Sequence, residues 1–381
     1  MLDGALEVAD GDDATKCLNR GFGWLLLSQI MKTPAPLLVL WLSIQITAAQ
    51  QAAPEGRVQG WLTQMDKDGD GRISAGEAVG PMKANFTRKD GRKVAAAQPR
   101  RQQAMSEEQL LARQTPDITI VPNIAYRAGQ ERAWKLDLVM PQERGEKPRP
   151  GIVFIHGGGW RTGDKRMGSI LNGALEYAKK GYVCITLNYR LLDEAPDPAC
   201  VEDVKNAVRW FRANAEKYNL DPARIGGYGN SAGAHLVSML GLVKKETGLE
   251  GDGPFQEQSS LLQAVCASAT PTDFRLFGGG RAGNSGLIAG AEATLETRAK
   301  QASPITYVAA DAPPFLLIHG TADTTVNVKH GDSLVVALKA AGAKDVTYLR
   351  IGGSGHGVFN EHAAQTGPAM AAFFKRTLGG K

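Results

Sequence analysis

Residues 225–233 read Ile225-Gly226-Gly227-Tyr228-Gly229-Asn230-Ser231-Ala232-Gly233 and run directly into the helix-compatible stretch Ala234 to Leu242. A short strand, a serine between two close glycines and then a helix describe the turn in which a serine hydroxyl is raised above a sheet edge. Glycine is required there because the turn is tight and neighbouring side chains would collide. The helix N-terminus below the turn favours negative charge. Taken alone the pattern is weak, since Gly- and Ser-rich turns are common.

Working outward strengthens it. His156-Gly157-Gly158-Gly159-Trp160 follows the apolar run Ile152 to Ile155, where a loop that donates backbone N–H groups to a developing oxyanion belongs. Gly157 and Gly158, with Ala232 after the serine, are the candidate donors. Downstream, Phe315-Leu316-Leu317-Ile318-His319-Gly320 reads as a strand, and Asp323 lies in the turn after it. Thr347 to Ile351 reads as another strand, and Gly353-Ser354-Gly355-His356-Gly357 follows. The chain order Ser231, Asp323, His356 suits a triad in which His356 deprotonates Ser231 and Asp323 fixes the imidazole tautomer. His319 and His330 are the competing bases, and Asp311 and Asp345 the competing acids. His356 and Asp323 are preferred because each lies just past a strand end. H-E-x-x-H is absent and no histidines fall at metal-ligand spacing, so no cofactor is expected for catalysis.

From Ile118 onward strand-like and helix-like runs alternate: Val183 to Leu187 as a strand, Ile170 to Lys180 and Val201 to Tyr218 as helices. This predicts an α/β class, with a mostly parallel central sheet, helices on both faces and the site at the carboxyl ends of the strands. At HGGGW, GYGNSAG, HGTAD and GSGHG, with Leu187-Asn188-Tyr189-Arg190-Leu191, residues 118 to 379 resemble α/β-hydrolase esterases. They look closest to the bacterial feruloyl and acetylxylan esterase-like group that borders the hormone-sensitive-lipase family. The resemblance implies the same roles for Ser231, Asp323 and His356, and an oxyanion loop from His156 to Gly158. Asn230 departs from it, because such esterases often carry an acidic residue or serine there. The glycine-rich stretch Phe277 to Ala291 is expected to form a lid over the pocket.

Ahead of this domain, Asp66-Lys67-Asp68-Gly69-Asp70-Gly71-Arg72-Ile73-Ser74-Ala75-Gly76-Glu77 fits the calcium-loop template D-x-[DN]-x-[DN]-G-x5-E. A hard cation takes oxygen ligands, which Asp66, Asp68, Asp70, the Arg72 carbonyl, Ser74 through water and bidentate Glu77 would supply. The segment resembles an EF-hand, and Ca²⁺ is the ligand expected of it. The later stretch Asn85 to Gly91 lacks the carboxylates of a second loop.

Residues 31–49 carry Met-Lys-Thr-Pro, an apolar run from Leu37 to Ile46 and then Thr47-Ala48-Ala49, the order of a secretory signal. The expected organisation is an upstream extension at 1–30, the signal at 31–49, an EF-hand-like module at 54–97, a linker at 98–115 and the catalytic domain at 116–379. Ser106 to Arg113 is compatible with a short helix inside the linker. The chain is expected to be secreted or periplasmic, with no membrane association after signal cleavage, since no later run approaches the length of a span.

A net charge of +5 without an aromatic-interleaved basic face gives no reason to expect nucleic acid as a partner. Four cysteines at scattered spacings require no disulfide, and Cys184, in an apolar run, reads as a buried strand residue. The expected function is hydrolysis of short-chain or feruloyl and acetyl esters carried by small molecules or polysaccharides. A broad short-chain carboxylesterase is the alternative, and a catalytically dead calcium-dependent binding module the more distant one. The sequence leaves the oligomeric state open.

Overall fold

The apolar run Ile152–Ile155 lies within an eight-stranded sheet that organises the chain. The structure is a computed structural model, and it describes residues 105–129, 131–277, 287–288 and 292–379. These run in order as α1 (Glu107–Leu111), β1 (Ile118–Ala125), β2 (Lys135–Pro141), β3 (Arg149–Ile155), α2 (Gly168–Lys179), β4 (Val183–Leu187), α3 (Ala199–Ala213), β5 (Leu220–Asn230), α4 (Ala232–Leu242), β6 (Ala264–Ser268), α5 (Glu292–Ala302), β7 (Phe315–Gly320), α6 (Lys329–Ala340), β8 (Val346–Ile351), α7 (Val358–Glu361) and α8 (Ala363–Leu378).

The sheet order is β1-β2-β4-β3-β5-β6-β7-β8. β2 pairs antiparallel with both β1 and β4, and every other pairing is parallel. The central strands are continuous apolar runs because both their faces are covered. Val153 and Ile155 of β3 enter one core cluster while Ile152 and Phe154 enter the other. Phe315 and Leu317 of β7 divide from Leu316 and Ile318 in the same way. Period-two alternation therefore feeds two helix-covered cores from one sheet.

From β3 the chain steps outward to β4 and then returns to β5 on the opposite side of β3. The winding direction reverses there, so a crevice opens beyond the carboxyl ends of β3 and β5. The glycine loop and Ser231 follow these two ends.

One helix differs in extent from the sequence expectation, and another is found where it was expected. The helix expected over Val201 to Tyr218 ends at Ala213, with the Asn214 side-chain amide donating to the Trp210 carbonyl at 2.8 Å. Ala215 and Tyr218 are buried all the same, so apolar spacing persists past the helical backbone. The helix expected within the linker is α1, where Ser106 and Gln109 cap each other's backbone N–H groups. Its Leu110 is fully buried in the core with Ile118, Ile120 and Ile152. The chain is thus already packed on the sheet ahead of residue 116.

Cys184, Cys200 and Cys266 are buried free thiols, and burial pushes all three up from the ordinary thiol range. The upstream extension, the signal at 31–49, the EF-hand-like residues Asp66, Asp68, Asp70, Arg72, Ser74 and Glu77, and nearly all of the expected lid lie outside the described residues. No helix among the described residues is long and apolar enough to cross a membrane.

Candidate active site

Ser231 joins β5 to α4 with φ 54° and ψ −122°, a conformation that L-residues rarely adopt and that costs roughly 1–3 kcal/mol. The flanking glycines permit it by their lack of volume. A Cβ on Gly229 would lie 2.3 Å from the Gly233 backbone, and one on Gly233 would lie 2.1 Å from the Ile155 carbonyl oxygen. The elbow therefore presses directly on β3, and the backbone offers no room for a side chain.

His356 reaches Ser231 from the loop after β8. Its Nε2 is 3.0 Å from Ser231 Oγ, and its Nδ1 is 2.8 Å from Asp323 Oδ2. Asp323 is only 4% exposed, and its Oδ1 accepts the backbone N–H groups of Thr325 and Val326 at 2.8 and 2.9 Å. Burial alone would raise this carboxyl, but hydrogen bonds from His319, His356 and the Val326 N–H hold it well below the usual carboxylate range. A buried anion on Nδ1 keeps that nitrogen protonated and leaves Nε2 to accept a proton from Oγ.

The competing residues are held in other contacts. His319 donates from Nε2 to the Val326 carbonyl at 2.9 Å and stands 3.5 Å from Asp323 Oδ2, beside the carboxylate. His330 is buried, and its Nδ1 accepts the N–H groups of Thr272 and Asp273. Asp311 pairs with Lys244 and Asp345 with Arg376, both toward solvent. Among the described residues no group of three or more His, Cys, Asp or Glu side chains is arranged to hold a metal ion.

The glycine loop lies against the serine. A Cβ on Gly157 would fall 3.2 Å from Ser231 Cβ and 2.8 Å from the Asn230 carbonyl oxygen. Gly158 and Gly159 adopt φ of 118° and 60°, which turns the loop's peptides in a way only glycine accepts readily. Ala232 opens α4, where the first N–H groups of a helix have no intrahelical acceptor. Of the three expected oxyanion donors, Gly157 and Ala232 thus lie beside Ser231, and Gly158 follows in the same loop as Gly157.

Residues that the sequence marked only through the family resemblance hold this loop. His156 donates from Nδ1 to the Gly157 carbonyl at 2.8 Å and stacks on Tyr189, with ring centroids 4.5 Å apart. Tyr189 donates its hydroxyl to the His156 carbonyl at 3.0 Å. Burial lowers His156 to about 4, so its imidazole is neutral at pH 7. The Asn188 side-chain oxygen accepts the Lys165 N–H at 2.6 Å, and Arg190 grips buried Asp203 through two bonds of 2.8 Å. Within the NYR run beyond β4, Tyr189 braces the oxyanion loop directly, while Asn188 ties the segment at Lys165 and Arg190 ties α3. In the sequence this run showed through the family resemblance and its nearness to a strand end.

A family model described as BD-FAE matches residues 136–338, more than half of the 381-residue chain, and ends before His356. The esterase LipC of Mycobacterium tuberculosis is 31% identical over 261 residues, covering 64% of this chain and 62% of LipC. The probable carboxylic ester hydrolase LipM of the same organism is also 31% identical, over 58% of this chain and 51% of its own length. The chain thus spans between about half and three fifths of these curated relatives. Among solved structures, a truncated form of a carbohydrate esterase from gut microbiota superposes with a TM-score of 0.61 at 30% identity, over 68% of this chain and 96% of that one. Propionate-bound esterase 2 of Thermogutta terrifontis follows with a TM-score of 0.56 at 26% identity, over 69% and 95%.

Proposed function

This chain belongs to the BD-FAE family, and from that premise we propose that it is a serine ester hydrolase acting through Ser231, His356 and Asp323. The observation that carries the reading is the unbroken contact from Ser231 Oγ through the His356 ring to the buried Asp323 carboxylate, at 3.0 and 2.8 Å.

In the proposed mechanism Ser231 Oγ attacks the ester carbonyl carbon while His356 Nε2 takes its proton. Asp323 stabilises the resulting imidazolium without itself accepting the proton. The carbonyl oxygen gains negative charge and is met by the N–H groups of Gly157, Gly158 and Ala232, for which the glycine loop provides close approach. Collapse breaks the ester C–O bond, and the departing alcohol takes the proton from His356. Water then attacks the acyl-serine by the same route, releasing the carboxylic acid and restoring the serine.

The proposed substrates are short-chain, acetyl or feruloyl esters of carbohydrates. The likeness to a gut carbohydrate esterase supports this at 30% identity. A broad short-chain carboxylesterase is the second reading, supported by the likeness to an esterase captured with propionate. We further propose that residues 31–49 direct export and that the loop from Asp66 to Glu77 takes Ca²⁺ through Asp66, Asp68, Asp70, Arg72 and Glu77, on the strength of its sequence template alone.

The test is steady-state hydrolysis of p-nitrophenyl acetate by the wild type and Ser231→Ala. The wild type is expected to turn over and the variant to lose on the order of 10³-fold or more; equal rates would remove Ser231 as the nucleophile. Acetyl xylan and methyl ferulate hydrolysed faster than p-nitrophenyl butyrate would support the carbohydrate reading, and the reverse order the broad one.

A further inference from the structure

His235 lies four residues after Ser231 on α4 and is fully buried. Both of its ring nitrogens are engaged. Nδ1 lies 3.2 Å from Trp160 Nε1, and Nε2 lies 2.8 Å from the Ala302 carbonyl oxygen. An indole N–H can only donate and a carbonyl can only accept, so the pair of contacts fixes the neutral tautomer with its proton on Nε2. Burial lowers His235 to about 4, in agreement with that state at pH 7.

The partners belong to different elements. Trp160 closes the HGGGW loop and is held at φ 57°, a costly conformation for a bulky residue. Its carbonyl accepts the Leu192 N–H at 2.8 Å. The Trp160 ring lies 5.4 Å from His235, edge to face, and 5.6 Å from Phe274. The Phe274 N–H in turn donates to Ser303 Oγ at 2.9 Å, one residue beyond Ala302. One imidazole therefore joins the oxyanion loop, the nucleophile helix and the end of α5.

We propose that His235 is a positioning residue, whose bond to Trp160 seats the HGGGW loop so that the Gly157 and Gly158 N–H groups sit correctly relative to Ser231. The inference rests on the reading of this site as an ester hydrolase. The tight fit at Gly157 explains why the seat matters: there is no room even for a Cβ between this residue and Ser231 or Asn230, and a shift of the loop by even 1 Å misaligns the donors. Such a shift costs on the order of 10²-fold in rate. The donors act on a charge that forms in the transition state, so the loss falls on kcat rather than on KM.

Three single variants and one double variant test this in the full chain, with p-nitrophenyl acetate as substrate and a stoichiometric phosphonate ester to count reactive serines. His235→Leu removes both bonds, Trp160→Phe removes only the indole donor, and His235→Gln retains one acceptor and one donor. The expected result is a kcat per titrated serine lowered by about 10- to 100-fold in His235→Leu and Trp160→Phe, with KM changed less than about threefold. His235→Gln is expected to recover to within about fivefold of the wild type. The double variant Trp160→Phe, His235→Leu should fall no lower than the less active single variant, since each single variant already removes the Trp160–His235 bond.

Unchanged kcat per titrated serine in Trp160→Phe, which keeps the packing even if His235→Leu folds poorly, would overturn the inference and leave His235 a packing residue. A wild type that neither turns over the ester nor reacts with the phosphonate would instead overturn the hydrolase reading, and this inference with it.

Discussion

Asp323 is the most heavily solvated group of the site, although the solvent is protein: two backbone N–H groups on Oδ1, and His356 with His319 at Oδ2. An amide in its place would present an N–H₂ group where an acceptor is required and favour the wrong tautomer of His356. Asp323→Asn is therefore expected to lower kcat by about 10³- to 10⁴-fold with little change in KM, read from saturation curves. Retention of more than a tenth of the wild-type rate would remove Asp323 from the mechanism. At this scale Ser231, Asp323 and His356 were legible in the sequence because each lies a few residues past an apolar run that must be a strand. His235 was not. The bond from Trp160 to His235 spans 75 residues of chain, and such meetings follow from sheet order rather than from local pattern.

The elbow is built from two elements in backbone contact, and its glycines can be separated by what each does. A Cβ on Gly233 would meet the Ile155 carbonyl oxygen at 2.1 Å, and neither backbone can retreat without moving β3 or α4. Gly233→Ala is expected to destabilise the fold by about 3 kcal/mol in urea melts and to depress activity together with stability. Gly168 is the control. It begins α2, and a Cβ there meets nothing within 4 Å, so Gly168→Ala should leave activity intact and stabilise by up to about 1 kcal/mol. A loss of stability at Gly168 equal to that at Gly233 would contradict the steric account. The strands and most helices were legible from their periodicity. The end of α3 was not, because Ala215 and Tyr218 remain buried after the helical backbone has stopped.

Across the whole molecule, three buried histidines, His156, His235 and His330, are each lowered by burial from 6.5 to about 4. A group that binds its proton more weakly when folded contributes stability that is fully present above its unfolded pKa. That contribution is lost as pH falls from 6.5 toward 4, where the unfolded chain binds up to three more protons at these positions. Buried Asp197, raised by burial to about 7, holds a proton in the folded state across the same window and offsets one of the three, so the net slope approaches roughly 3 kcal/mol per pH unit. Urea midpoints measured across this window should fall steeply with acidification. A flat profile would mean that these imidazoles are not held neutral in the native state. The α/β class and the mostly parallel sheet were legible in the alternation of runs, whereas the antiparallel placement of β2 beside β4 was not. Strand pairing depends on how the chain crosses the sheet, and nothing in the run Lys135 to Pro141 announces its neighbours.

The strained backbone of Ser231 has an evolutionary consequence. At φ 54° and ψ −122° glycine is the residue the turn itself prefers, and Ser231→Gly is expected to raise the melting temperature, by a stabilisation of about 1 kcal/mol. Thermal melts of the two proteins would show it, and a lower melting temperature for the glycine form would refute it. A lineage of this chain screened only for robustness would drift toward an inert descendant, so selection for turnover is what would hold a serine at this position.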